Sequence, residues 1–161
     1  MKKSTFFKSA SLALACAAAT AAFSGCGSKN YAENNTAFFI GASGPLTGSA
    51  ASYGIAVQRG AELAVEEINA KNEDGMRFTF EIKDDKASAA DVPTNFAALY
   101  EKGMQLSLGA VTSGACLSFK GLAAEKNLFT LCPSATADDV TKDADTVFQM
   151  CFSDSNQGTV A

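Results

Sequence analysis

From Ala37 the chain switches repeatedly between two hydrophobic periods. The stretch "AFFIGA" (37–42) is a short unbroken apolar run, as expected of a strand covered on both faces. Over 51–69, Val57, Ala61, Ala64, Val65 and Ile68 recur at helical spacing, while Arg59, Glu62, Glu66 and Glu67 fill the opposite side. That pattern predicts an amphipathic helix. The polar "KNEDG" (71–75) breaks it with turn chemistry, and "MRFTFEIK" (76–83) alternates as a strand does. A helix over "FAALYEK" follows, with Pro93 tolerable only near its first turn and Gly103 closing it. "MQLSLGAV" (104–111) predicts a third strand, 115–126 a helix, "LFTLC" (128–132) a fourth strand and "TVFQMCF" (146–152) a fifth.

Strand and helix in regular alternation imply right-handed βαβ crossovers. The predicted fold class is therefore α/β, an open parallel sheet with helices on both faces. In such a sheet ligands sit beyond the carboxyl ends of the strands. The segments there are "SGPLTG", "DD", "TSGA", "PSAT" and "SDSNQG", dominated by small, hydroxylated or glycine residues.

Composition narrows what those strand ends can do. The 161 residues are 47% hydrophobic and 19% charged, which reads as globular, and the net charge is −4. Beyond Cys26 there are 10 basic against 17 acidic residues, so no basic footprint for nucleic acid exists. Histidine is absent. Neither a Ser-His-Asp nor a Cys-His triad can be assembled, and the cysteines show no CxxC spacing for zinc. The chain is expected to be no enzyme, with no cofactor, no metal and no catalytic residue.

The N-terminus reads as an address. A basic head, "MKKSTFFK", precedes small and apolar residues from Ser9 to Phe23, too short a run to span a bilayer, which takes roughly 20 residues. Ser24-Gly25-Cys26 is similar to a bacterial lipobox, with Phe23 where leucine is usual. Residues 1–25 are thus expected as a lipoprotein signal peptide, Cys26 as the lipid attachment site and 26–36 as a flexible tether. The expected location is extracytoplasmic, on a bacterial membrane by a lipid anchor of more than one chain. Cys116, Cys132 and Cys151 remain, an odd number, readable as small core residues or as a disulfide plus a free thiol.

Nucleotide readings fail on spacing. Gly41, Gly44 and Gly48 give GxxGxxxG with Pro45 interrupting, and no lysine lies between Asn30 and Ala70 to complete a P-loop. Pro45 also breaks the G-x-S-x-G elbow around Ser43. The acid pairs Glu66-Glu67, Asp84-Asp85 and Asp138-Asp139 are adjacent in sequence, so their side chains diverge. Solvated faces and helix starts account for them.

The hydroxyl clusters point elsewhere. Ser113 and Gly114 stand where a strand turns into a helix, and free N–H groups there bind a carboxylate without Arg or Lys. The plain alternative is that Thr112 or Ser113 caps the helix. In "PSAT", Thr136 offers an N–H to an anion and a hydroxyl to an ammonium, and the Ser134 carbonyl accepts from an ammonium. Together these groups suit a small zwitterion, with Tyr53 walling the crevice.

Three segments, "IGASGPLTGSAASYGIAVQRGAELAVEEINA", "LGAVTSGACLSFKGLAAEKNLFTLCPSATADDVT" and "VFQMCFSDSNQG", carry a family resemblance. The chain from Ala37 onward resembles the branched-chain amino acid (leucine-binding-protein-like) periplasmic substrate-binding proteins of ABC transporters, which are often lipoproteins. The resemblance implies a type I periplasmic-binding-protein fold, in which two lobes close on an amino acid and present it to permease subunits in the membrane. It implies that the Ser113 position and the Thr136 amide hold the ligand carboxylate. The Thr136 hydroxyl and Ser134 carbonyl would hold the ammonium, with Tyr53 beside the pocket. Residues 37–152 would be the N-terminal lobe, incomplete, and 153–161 the start of the crossover to a second lobe. Family members are more than twice as long, so the chain is expected to be part of a longer protein. A sensor domain of the same fold is the alternative, and the lipobox argues against it.

Overall fold

A computed structural model describes residues 37–73 and 75–161. The leader, the tether and Cys26 lie outside the described residues. Strand β1 (Ala37–Gly44) pairs in parallel with β2 (Arg77–Asp84), from Ala37 opposite Arg77 to Gly44 opposite Asp84. On its other side β1 meets β3 (Leu106–Ala110), followed by β4 (Thr130–Cys132) and β5 (Val147–Gln149). All pairings are parallel, in the order β2-β1-β3-β4-β5.

The helices are α1 (Ala51–Lys71), α2 (Val92–Glu101), α3 (Ser113–Glu125) and α4 (Asp154–Val160), with a 3-10 turn at Asp138–Val140. Helix α2 starts four residues before its expected apolar run because Pro93 sits in its first turn, where no N–H is needed. Gly103, at φ +94°, ends it, and the Met104 N–H reaches back to the Leu99 carbonyl at 3.1 Å. Val92, Phe96 and Leu99 of α2 and Ala115, Cys116, Phe119 and Ala123 of α3 form the core, with Val147 and Cys132 beneath. Phe96 meets Phe119 edge-on at 5.1 Å, and fully burying a side chain such as Phe119 contributes about 1.5–3 kcal/mol.

Strand order reverses after β1: α1 carries the chain to β2 on one side, and α2 carries it back across β1 to β3. Right-handed crossovers then put α1 on the opposite sheet face from α2 and α3. Of α1, α2 and α3, only α1 lies there. Gly54 is its one buried residue, whereas Leu63 and Ile68 are about half exposed. The amphipathic pattern forms the helix, but the apolar stripe is not closed over as the sequence predicts, because no second helix among the described residues flanks it. On that same face Phe129 and Phe148 stack at 5.4 Å and remain half exposed.

One further expectation is corrected. Strand β5 spans three residues rather than the 146–152 run. Pro133 follows Cys132, so β4 stops and offers β5 no further ladder after the 3.0 Å bond from the Met150 N–H to the Cys132 carbonyl. The segment after Phe152 forms α4, whose first turn is capped by Ser153 accepting from the Asn156 N–H. No helix among the described residues is long and apolar enough to cross a membrane.

Candidate functional site

The reversal of strand order falls at the carboxyl ends of β1 and β3, the position where open parallel sheets bind ligands. On the β1 side, the loop 45–50 has few side chains of its own to hold it. Asp84, the last residue of β2, holds it instead. Its carboxylate accepts from the Leu46 N–H (2.9 Å), the Thr47 N–H (3.3 Å), the Thr47 hydroxyl (2.5 Å) and the Lys86 N–H (2.9 Å). Burial pushes this carboxyl up, but the four donors outweigh that and leave it below its ordinary value. Helix α1 then packs its first turn onto Pro45. A Cβ on Gly54 would overlap the Pro45 carbonyl, so only glycine permits the approach. Tyr53, one residue earlier, is left 63% exposed beside the crevice.

Behind this loop, Ser43 and Asp85 are fully buried. The Ser43 hydroxyl donates to Asp85 at 2.9 Å and accepts from the Asn95 amide at 3.1 Å; that amide also donates to the Asp84 carbonyl at 3.0 Å. Burial pushes the Asp85 carboxyl up, opposed by the Ala87 N–H and the Ser43 hydroxyl. The pair Asp84-Asp85 is thus neither a solvated face nor a helix start, contrary to the sequence reading. One carboxylate ties down the loop and the other anchors the core beneath it. Sequence reasoning missed Asp84, Asp85, Ser43 and Asn95. The available signal was an acid pair at a strand end near a glycine-rich loop that needs acceptors for its N–H groups. Asp138 does start the 3-10 turn, and its carboxylate accepts from the Ser155 hydroxyl at 2.7 Å. Among the described residues no cluster of acids or cysteines could hold a metal ion.

On the β3 side, Thr112 occupies the cap position of α3, yet no side chain bonds the first turn. The simple capping alternative is therefore incorrect. Ser113 reaches sideways: its hydroxyl oxygen accepts from the Thr136 N–H at 3.2 Å and the Ala137 N–H at 3.3 Å. The Ser134 hydroxyl donates to the Val111 carbonyl at 2.7 Å, a second tie between the ends of β3 and β4. The Gln149 amide fixes the segment from below, through the carbonyls of Ala135 (2.8 Å) and Ala137 (3.1 Å). Ser113, Ser134 and Thr136 are thus brought together from two strand ends. Tyr53 approaches from the β1 side, with no hydrogen bond to them.

What stays unspent defines the chemistry. Ser113 accepts twice, so its own O–H is free to donate, and the uncapped N–H groups of α3 lie beside it. The Thr112 hydroxyl is buried without a partner among the described residues. The Thr136 hydroxyl and the Ser134 carbonyl enter no hydrogen bond there either. Donors thus cluster at the helix start and acceptors at the "PSAT" segment, and neither segment carries a charged side chain.

Residues 37–161 match the family described as periplasmic binding protein. The chain is 36% identical over 124 residues to the Leu/Ile/Val-binding protein BraC3 of Rhizobium johnstonii, spanning 76% of this chain and 34% of that relative. Among solved structures, the branched-chain amino acid transporter substrate-binding protein LivJ of Streptococcus pneumoniae, in complex with isoleucine, superposes with a TM-score of 0.69 at 36% identity. That match covers 74% of this chain and 35% of LivJ. An ABC transporter substrate-binding protein of Desulfitobacterium hafniense, in complex with Leu, gives a TM-score of 0.65 at 27% identity, covering 74% of this chain and 36% of that one. The chain spans about a third of the length of these relatives.

Proposed function

Because this chain belongs to the periplasmic binding protein family, we propose that it is the N-terminal ligand-binding portion of an extracytoplasmic receptor for a small amino acid, serving an ABC importer. The observation that carries the reading is the junction of Ser113 with Thr136 and Ala137. It gathers unspent donors and acceptors at two adjacent strand ends, as an α-amino acid requires. The carboxylate sits at the start of α3, taking the Ser113 hydroxyl and the first-turn N–H groups, favoured by the helix dipole; the Thr136 N–H, expected to join them, donates to Ser113 in this structure. The ammonium donates to the Thr136 hydroxyl and the Ser134 carbonyl. Tyr53 forms an apolar wall. Membership of a family of binding proteins supports a role without catalysis, and the chain has no histidine to activate a serine or cysteine nucleophile. Binding and release are its work. Lipidation at Cys26 would keep the receptor at the membrane, next to the permease that accepts its ligand.

The test is calorimetry on the full-length protein with leucine and isoleucine, alongside leucinamide, which lacks the carboxylate, and 4-methyl-2-oxopentanoate, which lacks the ammonium. Binding of both amino acids and of neither analogue is expected. Equal binding of either analogue would refute the zwitterion site.

A further inference from the structure

Cys116 lies in the first turn of α3, and Cys132 is the last residue of β4. Both are buried, 0% and 1% exposed, and their sulfurs face each other at 3.3 Å. A disulfide needs about 2.05 Å, so bond formation closes the sulfurs by roughly 1 Å. Cys116 also lies 2.7 Å from the Ala110 carbonyl, and the third thiol, Cys151, donates to the Ala135 carbonyl at 3.0 Å with no sulfur partner. The odd cysteine count is thereby resolved in space: two sulfurs are matched and one is set apart.

We propose that Cys116 and Cys132 form an intrachain disulfide when the chain folds in contact with an oxidising thiol–disulfide couple, leaving Cys151 as the free thiol. The bond staples α3 to β4, three residues after Ser113 and four before Thr136. It therefore clasps the two segments that meet in the candidate site. The extracytoplasmic location proposed above supplies the setting, since disulfides persist in oxidising compartments.

The exchange balances as follows. In the folded chain the Cys116 thiol lies 2.7 Å from the Ala110 carbonyl and 3.3 Å from the Cys132 sulfur. In the open chain the Cys132 thiol ionises, and its thiolate is the nucleophile. It attacks the disulfide of glutathione disulfide or of a thiol oxidase, expelling one thiolate. Cys116, deprotonated in its turn, attacks the Cys132 sulfur of the mixed disulfide and expels the second. Two electrons pass to the oxidant and the two thiol protons end on its products. Because both sulfurs are covered in the folded chain, exchange occurs before α3 closes onto β4.

The full-length protein, reduced and denatured, is refolded either in a glutathione–glutathione disulfide mixture or in dithiothreitol. Remaining thiols are alkylated in denaturant and the chain is digested with trypsin. Lys102, Lys120, Lys126 and Lys142 put Cys116, Cys132 and Cys151 on three different peptides. The expected product of the glutathione mixture has the Cys116 and Cys132 peptides linked and Cys151 alkylated. All three alkylated, or a bond to Cys151 predominating, would overturn the pairing. Reducing the linked form should lower the thermal midpoint by roughly 4 °C, and the C116S/C132S double variant should ignore reductant. An unchanged midpoint on reduction would overturn the staple. Peptide mapping on the unaltered chain is independent of amino acid binding, so its failure leaves the calorimetric test standing.

Discussion

Removing the Ser43 hydroxyl probes the buried network beneath the site. Ser43→Ala deletes the donor to fully buried Asp85 at 2.9 Å and the acceptor for half-buried Asn95 at 3.1 Å. Asn95 loses little, because its amide still donates to the Asp84 carbonyl at 3.0 Å. Asp85 loses more, keeping the Ala87 N–H at 2.9 Å as its remaining close donor. A hydrogen bond to a charged group is worth about 1.5–3 kcal/mol, so the expected loss near neutral pH is about 2 kcal/mol. For a unit of this size that lowers the thermal midpoint by about 8 °C. The pH dependence separates this account from simple cavity formation. Burial already raises the folded-state pKa of Asp85 above its unfolded value. The folded state thus binds the proton more tightly, and the Asp85 contribution to stability falls as pH rises from the unfolded pKa through the folded one. Ser43 opposes that fall by stabilising the ionised form. The Ser43→Ala penalty should therefore be larger at about pH 7 than at about pH 4.5, measured by urea unfolding of both proteins at each pH. An equal penalty at the two pH values would refute the reasoning.

Gly54→Ala forces a methyl group against the Pro45 carbonyl, and should lower stability by about 1–3 kcal/mol in thermal unfolding while displacing Tyr53. Asp84→Asn keeps one acceptor oxygen for the loop but loses the charge. It should cost about 1 kcal/mol in urea unfolding and raise hydrogen exchange at Leu46 and Thr47 above the rest of the chain. Asp84 also carries the opposite pH sign to Asp85. Its folded-state pKa is lowered, so its contribution is complete above the unfolded value and is lost as pH falls through the folded one. In the full-length protein Thr136→Val leaves an ammonium without its hydroxyl partner, and calorimetry should show leucine binding weakened by about 1–3 kcal/mol.

What was legible in the sequence was whatever rests on local periodicity. The switch between runs such as "AFFIGA" and the 51–69 stripe located every strand and the three long helices, and the alternation implied the parallel sheet. The strand-end rule pointed to Ser113 and Thr136, which lie 23 residues apart in sequence and meet in space. Illegible were the features that depend on which distant group supplies the partner. Asp84 looks like a solvated acid until the loop 38 residues earlier is seen to lean its N–H groups on it. Thr112 and Ser113 look like caps because the cap is the local option; the Thr136 and Ala137 N–H groups outcompete it for the Ser113 oxygen. The extent of β5 was lost for a related reason. Its own residues favour extension, but a ladder needs two strands, and Pro133 in the neighbour ends it.

The same contrast explains how the site is supported. Ser113, Ser134 and Thr136 have small side chains and no charge, so their placement rests on backbone position. That position is set by groups outside the crevice: Asp84 holds one rim, Gln149 holds the other, and the Cys116–Cys132 contact lies under the junction between them. The receptor role proposed above would gain from this division: uncharged side chains at the strand ends would meet the ligand, while buried and partly buried polar ties keep those ends in place. Substitutions at Ser43 or Gln149 should accordingly act first on stability, whereas Thr136→Val should act on affinity with stability nearly unchanged.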